Sequence, residues 1–221
     1  MAPPMQPADV FELPLFPLHT VLFPHQPLPL RIFEPRYRQM LDHCMEADRT
    51  FGVVLIRRGS EVGEPAEPHE IGTVANIQDV QPQADGTLGV ITEGTRRFRL
   101  LEVTQQRPYQ VGLVEYLQDY GDPPSQDQLK AIGDLSLRCL RLSLGMSGEW
   151  IRRANLPKDP EQMSYVLSAR LPRGPRTKQR LLSARTTTDR LKELTPLMEL
   201  EEQRLTRQLQ DRMWLTSSNL N

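Results

Sequence analysis

Between Glu12 and about Tyr120 the apolar residues fall mostly at every second position, in short runs punctuated by Gly and Pro, which is the period of half-buried strands. The runs ELPLFPL and LPLRIF predict two strands, and their prolines predict sheet edges, because proline has no N–H to give to a ladder. One helix interrupts the series at EPRYRQMLDHCM. Pro35 suits its first turn, and Tyr37, Met40, Leu41 and Cys44 recur at the three- and four-residue spacing of a single helical face. TFGVVLIR returns to strand, and a loop rich in Gly, Pro and Glu leads to EIGTVANIQDV. Asp85-Gly86 then predicts a type I′ hairpin turn. In the next strand Gly94 predicts a bulge, with Phe98 and Leu100 on one face and Arg97 and Arg99 on the other. YQVGLVEYLQ supplies the last strand. Five or six strands with one helix predict a closed or nearly closed small barrel, since closure protects the edges.

Beyond DYGDPPSQD the period becomes helical. Ser125 with Gln128, and Asp159-Pro160 with Gln162, predict two capping boxes. Helices are expected over LKAIGDLSLRCLRL, GEWIRRANL, MSYVLSARL and RTKQRLLSA. A long segment opened by Asp189 follows, with Leu191, Leu194, Met198, Leu205 and Leu209 in one stripe and a kink at Pro196. The expected organisation is α+β: a β-barrel subdomain over residues 1–120, then a bundle of four or five helices over residues 121–221.

The ordered blocks LPLFPLHTVLFPHQPLPLRIFEPRYRQML, EIGTVANI, DGTLGVITEGTRRFRL and DPEQMSYVLSARLPRGPRTKQRLLSARTTTDRLKEL resemble the N-terminal, substrate-binding domain of the Lon ATP-dependent protease, as found in small stand-alone relatives. The resemblance covers nearly the whole chain. It implies a PUA-like β pseudo-barrel carrying one helix, joined to a C-terminal α-helical bundle. It also implies a role in recognising protein substrates, associated with proteolysis, while catalysis belongs to other domains. The sequence contains no G-x-x-x-x-G-K-[ST] phosphate loop, so no nucleotide-binding cradle is expected in it.

Composition narrows the chemistry further. No apolar run reaches the ~20 residues of a membrane span, and MAPPMQPADV lacks the basic and apolar parts of a secretory signal, so a cytoplasmic protein without membrane contact is expected; the resemblance adds a bacterial source. Cys44 and Cys139 have no metal- or redox-motif neighbours and are read as buried free thiols. His19, His25, His43 and His69 show no ligand spacing, and Ser60 and Ser143 have no base motif, so no metal, no cofactor and no catalytic residue is assigned.

Five residues remain as binding candidates. Phe33 and Tyr37 offer aromatic contact area, although their spacing across a strand-to-helix junction equally suits a core. Glu34 is a binding carboxylate or, the preferred reading, a helix cap paired with Arg31, Arg36 or Arg38. Arg97 and Arg99, with Arg96, are the best case for RNA phosphates. Residues 1–120 nevertheless hold 10 basic against 16 acidic residues, net −6, while the remainder holds 17 against 12, net +5. The barrel half thus lacks the broad basic face that phosphate binding needs, and pairing of these arginines with Glu70, Glu93 or Glu102 is a sufficient alternative. The reading preferred is a non-enzymatic module that binds unfolded or native client proteins by hydrophobic anchoring and by backbone pairing at an open sheet edge. A Lon-type protease is a further candidate partner, RNA binding is the alternative, a small hydrolase is disfavoured, and the oligomeric state is open.

Overall fold

The computed structural model describes residues 10–63, 66–147 and 156–218. Among them, six strands and five helices follow one another as β1 (Val10–Leu18), β2 (Pro27–Ile32), α1 (Pro35–Glu46), β3 (Thr50–Arg58), β4 (Glu67–Pro82), β5 (Leu88–Gln105), β6 (Gln110–Tyr116), α2 (Gln126–Ser147), α3 (Pro160–Arg170), α4 (Pro175–Leu182) and α5 (Thr187–Ser218). No helix among them is long and apolar enough to cross a membrane. The expected helix around GEWIRRANL falls largely outside the described residues.

The sheet order is β2-β5-β4-β3-β1-β6, and β6 pairs again with β5. Five strands therefore close on themselves and β2 lies outside the ring, against the first half of β5. Closure corrects one expectation, since β1 is not an edge despite its prolines. Its first half, Val10 to Leu15, pairs with β6, and its second half, Leu15 to Leu18, pairs with β3. Pro14 and Pro17 each stand in a half with one neighbour, so each missing N–H points where no ladder runs.

The hairpin connection is one residue longer than the expected two-residue turn. Gln83 N–H donates to Thr87 O at 2.8 Å and Gly86 N–H to Gln83 O at 2.9 Å. Of the residues between them only Gly86 has positive φ, 79°, which makes a three-residue connection instead of a type I′ turn.

The predicted bulge lies just after Gly94, where Thr95 and Arg96 of β5 face a single residue of β4. Gly94 serves the 19–26 loop: it donates to Gln26 O (2.9 Å) and accepts from His25 N–H (2.8 Å), and a Cβ on it would stand 2.2 Å from Phe23 O. That obstacle is backbone and cannot swing aside. Gly94→Ala is expected to cost ~1–3 kcal/mol in urea unfolding, and a loss below about 0.5 kcal/mol would mean the loop moves freely.

Two apolar clusters fill the barrel unit. One packs the predicted face of α1, Tyr37, Met40, Leu41 and Cys44, on Phe16, Phe51, Val53, Ile77 and Val90. The other gathers Leu13, Leu15, Val54, Val74, Leu100 and Val114 around Phe98. Burial pushes the Tyr37 hydroxyl up to about 12 and the Cys44 thiol up to about 11. Both stay neutral in the fold while the unfolded chain ionises first. Stability is therefore full below about pH 9 and is lost as pH rises, through Cys44 first and Tyr37 above it. Urea midpoints measured from pH 8 to 12 should fall in that order, and Tyr37→Phe should flatten the upper part of the decline.

Contacts divide the chain into two compact units, one taking the strands up to Asp119 together with Ser168–Ser183, the other Tyr120–Leu167 and the residues from Ala184 onward. The segment 168–183 thus differs from the expected division, in which everything beyond 120 is bundle. The physical reason is polar: Gln179 Nε2 donates to Ile71 O of β4 at 2.8 Å, and Arg97 Nη1 of β5 to Leu182 O at 2.6 Å.

In the second unit α2 packs along α5. Ser125 and Gln128 form the reciprocal cap of α2, and Asp159 caps α3 through Gln162 N–H at 2.7 Å. Helix α5 begins earlier than expected, with the Thr186 hydroxyl accepting from Asp189 N–H, and runs unbroken through Pro196. Leu191, Leu194, Met198 and Leu205 of its stripe are buried, and Leu209 is half-buried. Arg190 is wholly buried, donating to Ser164 Oγ (2.9 Å) and the Tyr165 hydroxyl (3.2 Å) with its guanidinium over the Tyr165 ring.

Candidate functional site

The junction of β2 with α1 sets the surface of most interest. Pro35 fixes the first turn of α1, and the carbonyl of Glu34 accepts from the N–H groups of Tyr37 and Arg38, both at 3.1 Å. Glu34 occupies the cap position, yet its side chain makes no capping bond; its carboxylate instead pairs with Arg36 at 3.0 Å. Arg36 in turn donates to Glu61 O at 2.8 Å, and the Glu61 carboxylate accepts from His19 N–H. One polar hub thus ties the β1–β2 loop, the start of α1 and the β3–β4 loop together.

Beside that hub the two aromatic candidates separate. Tyr37 is buried, its ring 4.2 Å from that of Phe16. Phe33, one residue before Glu34, is 55 % exposed, and Val62, one residue after Glu61, is 54 % exposed. The structure therefore brings Phe33 to the surface, leaves the Glu34 side chain only 16 % exposed beside Arg36, and withdraws Tyr37. Exposure at Phe33 runs against the core reading favoured by its spacing; the helix begins only at Pro35, so the helical period does not reach it.

The arginines of β5 are engaged within the barrel unit. Arg97 is 3 % exposed and pairs with Asp119 besides donating to Leu182 O. Arg99 is exposed and pairs with Glu115 at 3.0 Å, while Arg96 lies 3.8 Å over the Tyr116 ring. Carboxylates and a ring beyond the expected Glu70, Glu93 and Glu102 engage these guanidiniums: the neighbouring β6 supplies Glu115 and Tyr116, and the segment after it supplies Asp119.

The sheet edges outside the ring are blunted. Gly94 N–H bonds to Gln26 O, and the alternation of an antiparallel ladder then turns the backbones of Leu28, Leu30 and Ile32 toward β5 and those of Pro27, Pro29 and Arg31 outward. Two of the three outward positions have no N–H. On the opposite side of this flap, the register of β5 with β4 turns Val80 and Pro82 outward. Val80 N–H is covered by its neighbour Asp79 (2.9 Å), and Pro82 has none. Arg31 and Arg38 hold the tip of the flap, through Asp85 and Thr87 and through Gly86 O. Backbone pairing at an open edge, expected from sequence, finds neither edge equipped for it.

One exposed surface was missed by residue-by-residue reading. Ser168–Ser183 carries Arg170, Arg173, Arg176, Lys178 and Arg180 and no acidic residue, and so holds the whole net +5 of the second half. The charge count over residues 121–221 dilutes this signal, because the excess is confined to sixteen residues. Among the described residues, no group of three His, Cys, Asp or Glu side chains is arranged to hold a metal.

Comparison with known proteins agrees with the geometry. Residues 12–199 match the family described as the ATP-dependent protease La (LON) substrate-binding domain. Curated relatives include Lon protease 2 of Syntrophobacter fumaroxidans, 27 % identical over 216 residues (91 % of this chain, 26 % of that protein). Lon protease of Syntrophus aciditrophicus is 27 % identical over 165 residues (71 % of this chain, 21 % of that protein). The chain therefore spans about a fifth to a quarter of the length of these relatives. Among solved structures, the Lon N-terminal domain protein from Xanthomonas campestris superposes with a TM-score of 0.65 at 28 % identity, covering 84 % of this chain and 98 % of that one. The N-terminal domain of Mycobacterium avium complex Lon protease, at 16 % identity and a TM-score of 0.62, shares the fold over 86 % of this chain and 98 % of its own. With its family match running from the first strand into the last helix, the chain belongs to the Lon substrate-binding domain family.

Proposed function

We propose that this chain is a protein-binding module, active in the cytoplasm, that takes unfolded or native client proteins on its barrel unit and makes or breaks no bond itself. The observation that carries the reading is the family match over residues 12–199 to a substrate-binding domain, as distinct from a catalytic one. The blunted flap edges favour recognition through side chains over main-chain pairing. Phe33 and Val62 are the proposed anchors, since exposed apolar side chains beside a fixed polar hub give contact area at low ordering cost. The arginines that would serve RNA are engaged with Asp119, Glu115 and Tyr116, which favours protein over RNA.

Fluorescence anisotropy of the full chain with labelled, uncharged apolar peptides tests this. Binding that weakens at least tenfold in a Phe33→Ala, Val62→Ala double variant is the expected result. Both side chains are more than half exposed, so the fold should survive. Absence of binding to any peptide or unfolded protein would overturn the reading.

A further inference from the structure

We propose that the exposed face of α4 and the turn before it form an anion-recognition surface that selects client segments rich in Asp and Glu. This rests on the protein-binding reading and adds a substrate preference to it. Arg176 and Arg180 stand one turn apart on α4, both exposed, while Gln179, Leu181 and Leu182 turn to the opposite, buried side. Arg170 at the end of α3 is exposed and Arg173 is half-exposed. Among the described residues neither Arg170 nor Arg176 has a carboxylate partner, which sets them apart from Arg31, Arg36, Arg97 and Arg99. Residues 1–120 carry net −6, whereas Ser168–Ser183 holds five basic residues and no acidic one.

The platform beneath these arginines is already ordered. Gln179 is fastened to Ile71 O, Leu182 O to Arg97, and the Lys178 ammonium to Ala169 O at 2.7 Å, which joins α4 to the end of α3. Guanidiniums on such a base can take carboxylates bidentately without ordering a loop first. Acidic peptide is favoured over nucleic acid for two reasons. Helix α4 has eight residues and so spans only ~12 Å, room for a few carboxylates but short for the ~6–10 phosphate contacts of a strong nucleic-acid site. Further, Ser168–Ser183 contains no aromatic residue on which bases could stack.

The test uses the full chain and three labelled peptides of equal length: one of alternating Glu and Leu, its Gln-for-Glu counterpart and its Lys-for-Glu counterpart, with a single-stranded homopolymeric RNA as a fourth probe. The acidic peptide is expected to bind at least tenfold more tightly than the Gln peptide at low salt, with the advantage shrinking as salt rises. An Arg170→Glu, Arg176→Glu variant should lose that advantage while keeping the Gln-peptide affinity and an unchanged melting temperature. Equal binding of acidic and Gln peptides overturns the selectivity and leaves the protein-binding reading standing. Failure of every peptide to bind overturns both. RNA binding tighter than that of the acidic peptide, and lost in the same variant, overturns the choice of partner.

Discussion

Arg97→Ala is expected to lower the stability of the barrel unit by ~3–5 kcal/mol, the usual consequence of stripping one partner from a buried ion pair. Asp119 is only 10 % exposed at its side chain, so its carboxylate would be left in a poorly hydrated site. The same substitution removes the donor to Leu182 O, an acceptor at the end of α4. The charge itself is not what the fold requires. Replacing both partners with apolar side chains, Arg97→Met with Asp119→Leu, should recover most of the loss, because no uncompensated charge then remains. Urea unfolding of the single and double variants decides the matter. A loss below about 1 kcal/mol for Arg97→Ala would show that the pair does not fasten this segment.

Phe98→Ala should cost a similar ~3–5 kcal/mol, since Phe98 is fully buried at the centre of the second apolar cluster. Two glycines make room for its ring: a Cβ on Gly52 would stand 2.7 Å, and one on Gly72 2.6 Å, from Phe98 Cζ. The two sites differ in what else they meet. The three atoms nearest a Cβ on Gly52 all belong to side chains, those of Phe98 and Leu13, whereas Gly72 also faces Val53 O at 2.6 Å. In the Phe98→Ala background Gly52→Ala should therefore be tolerated or mildly stabilising, while Gly72→Ala should remain damaging. Equal penalties for the two second-site changes would show that the ring is not what those glycines accommodate.

What could be read from sequence was whatever depends on neighbours along the chain. The face of α1, the alternation that sends Phe98 and Leu100 inward, and the cap of α2 are all set within a few residues, and each is found in the structure. Pro14 and Pro17 misled because the argument from proline assumes a strand with the same neighbours throughout, and β1 changes partner at Leu15. Arg97 was correctly turned away from the barrel interior, but its cover, α4, lies far along the chain in a stretch whose period marked it only as helix. The candidate surface was half legible for the same reason. Glu34 could be paired with a nearby arginine from sequence, whereas the approach of Glu61 to Arg36, and with it the place of Val62, depends on how the β3–β4 loop returns.

The barrel unit is assembled from two stretches of chain, and this orders its synthesis. A ribosome makes Arg97 85 residues before the carbonyl it will grip on Leu182, and all six strands emerge before their last fastening exists. The nascent barrel must wait with a cation half-satisfied, and a gene truncated after codon 120 would encode that waiting state permanently.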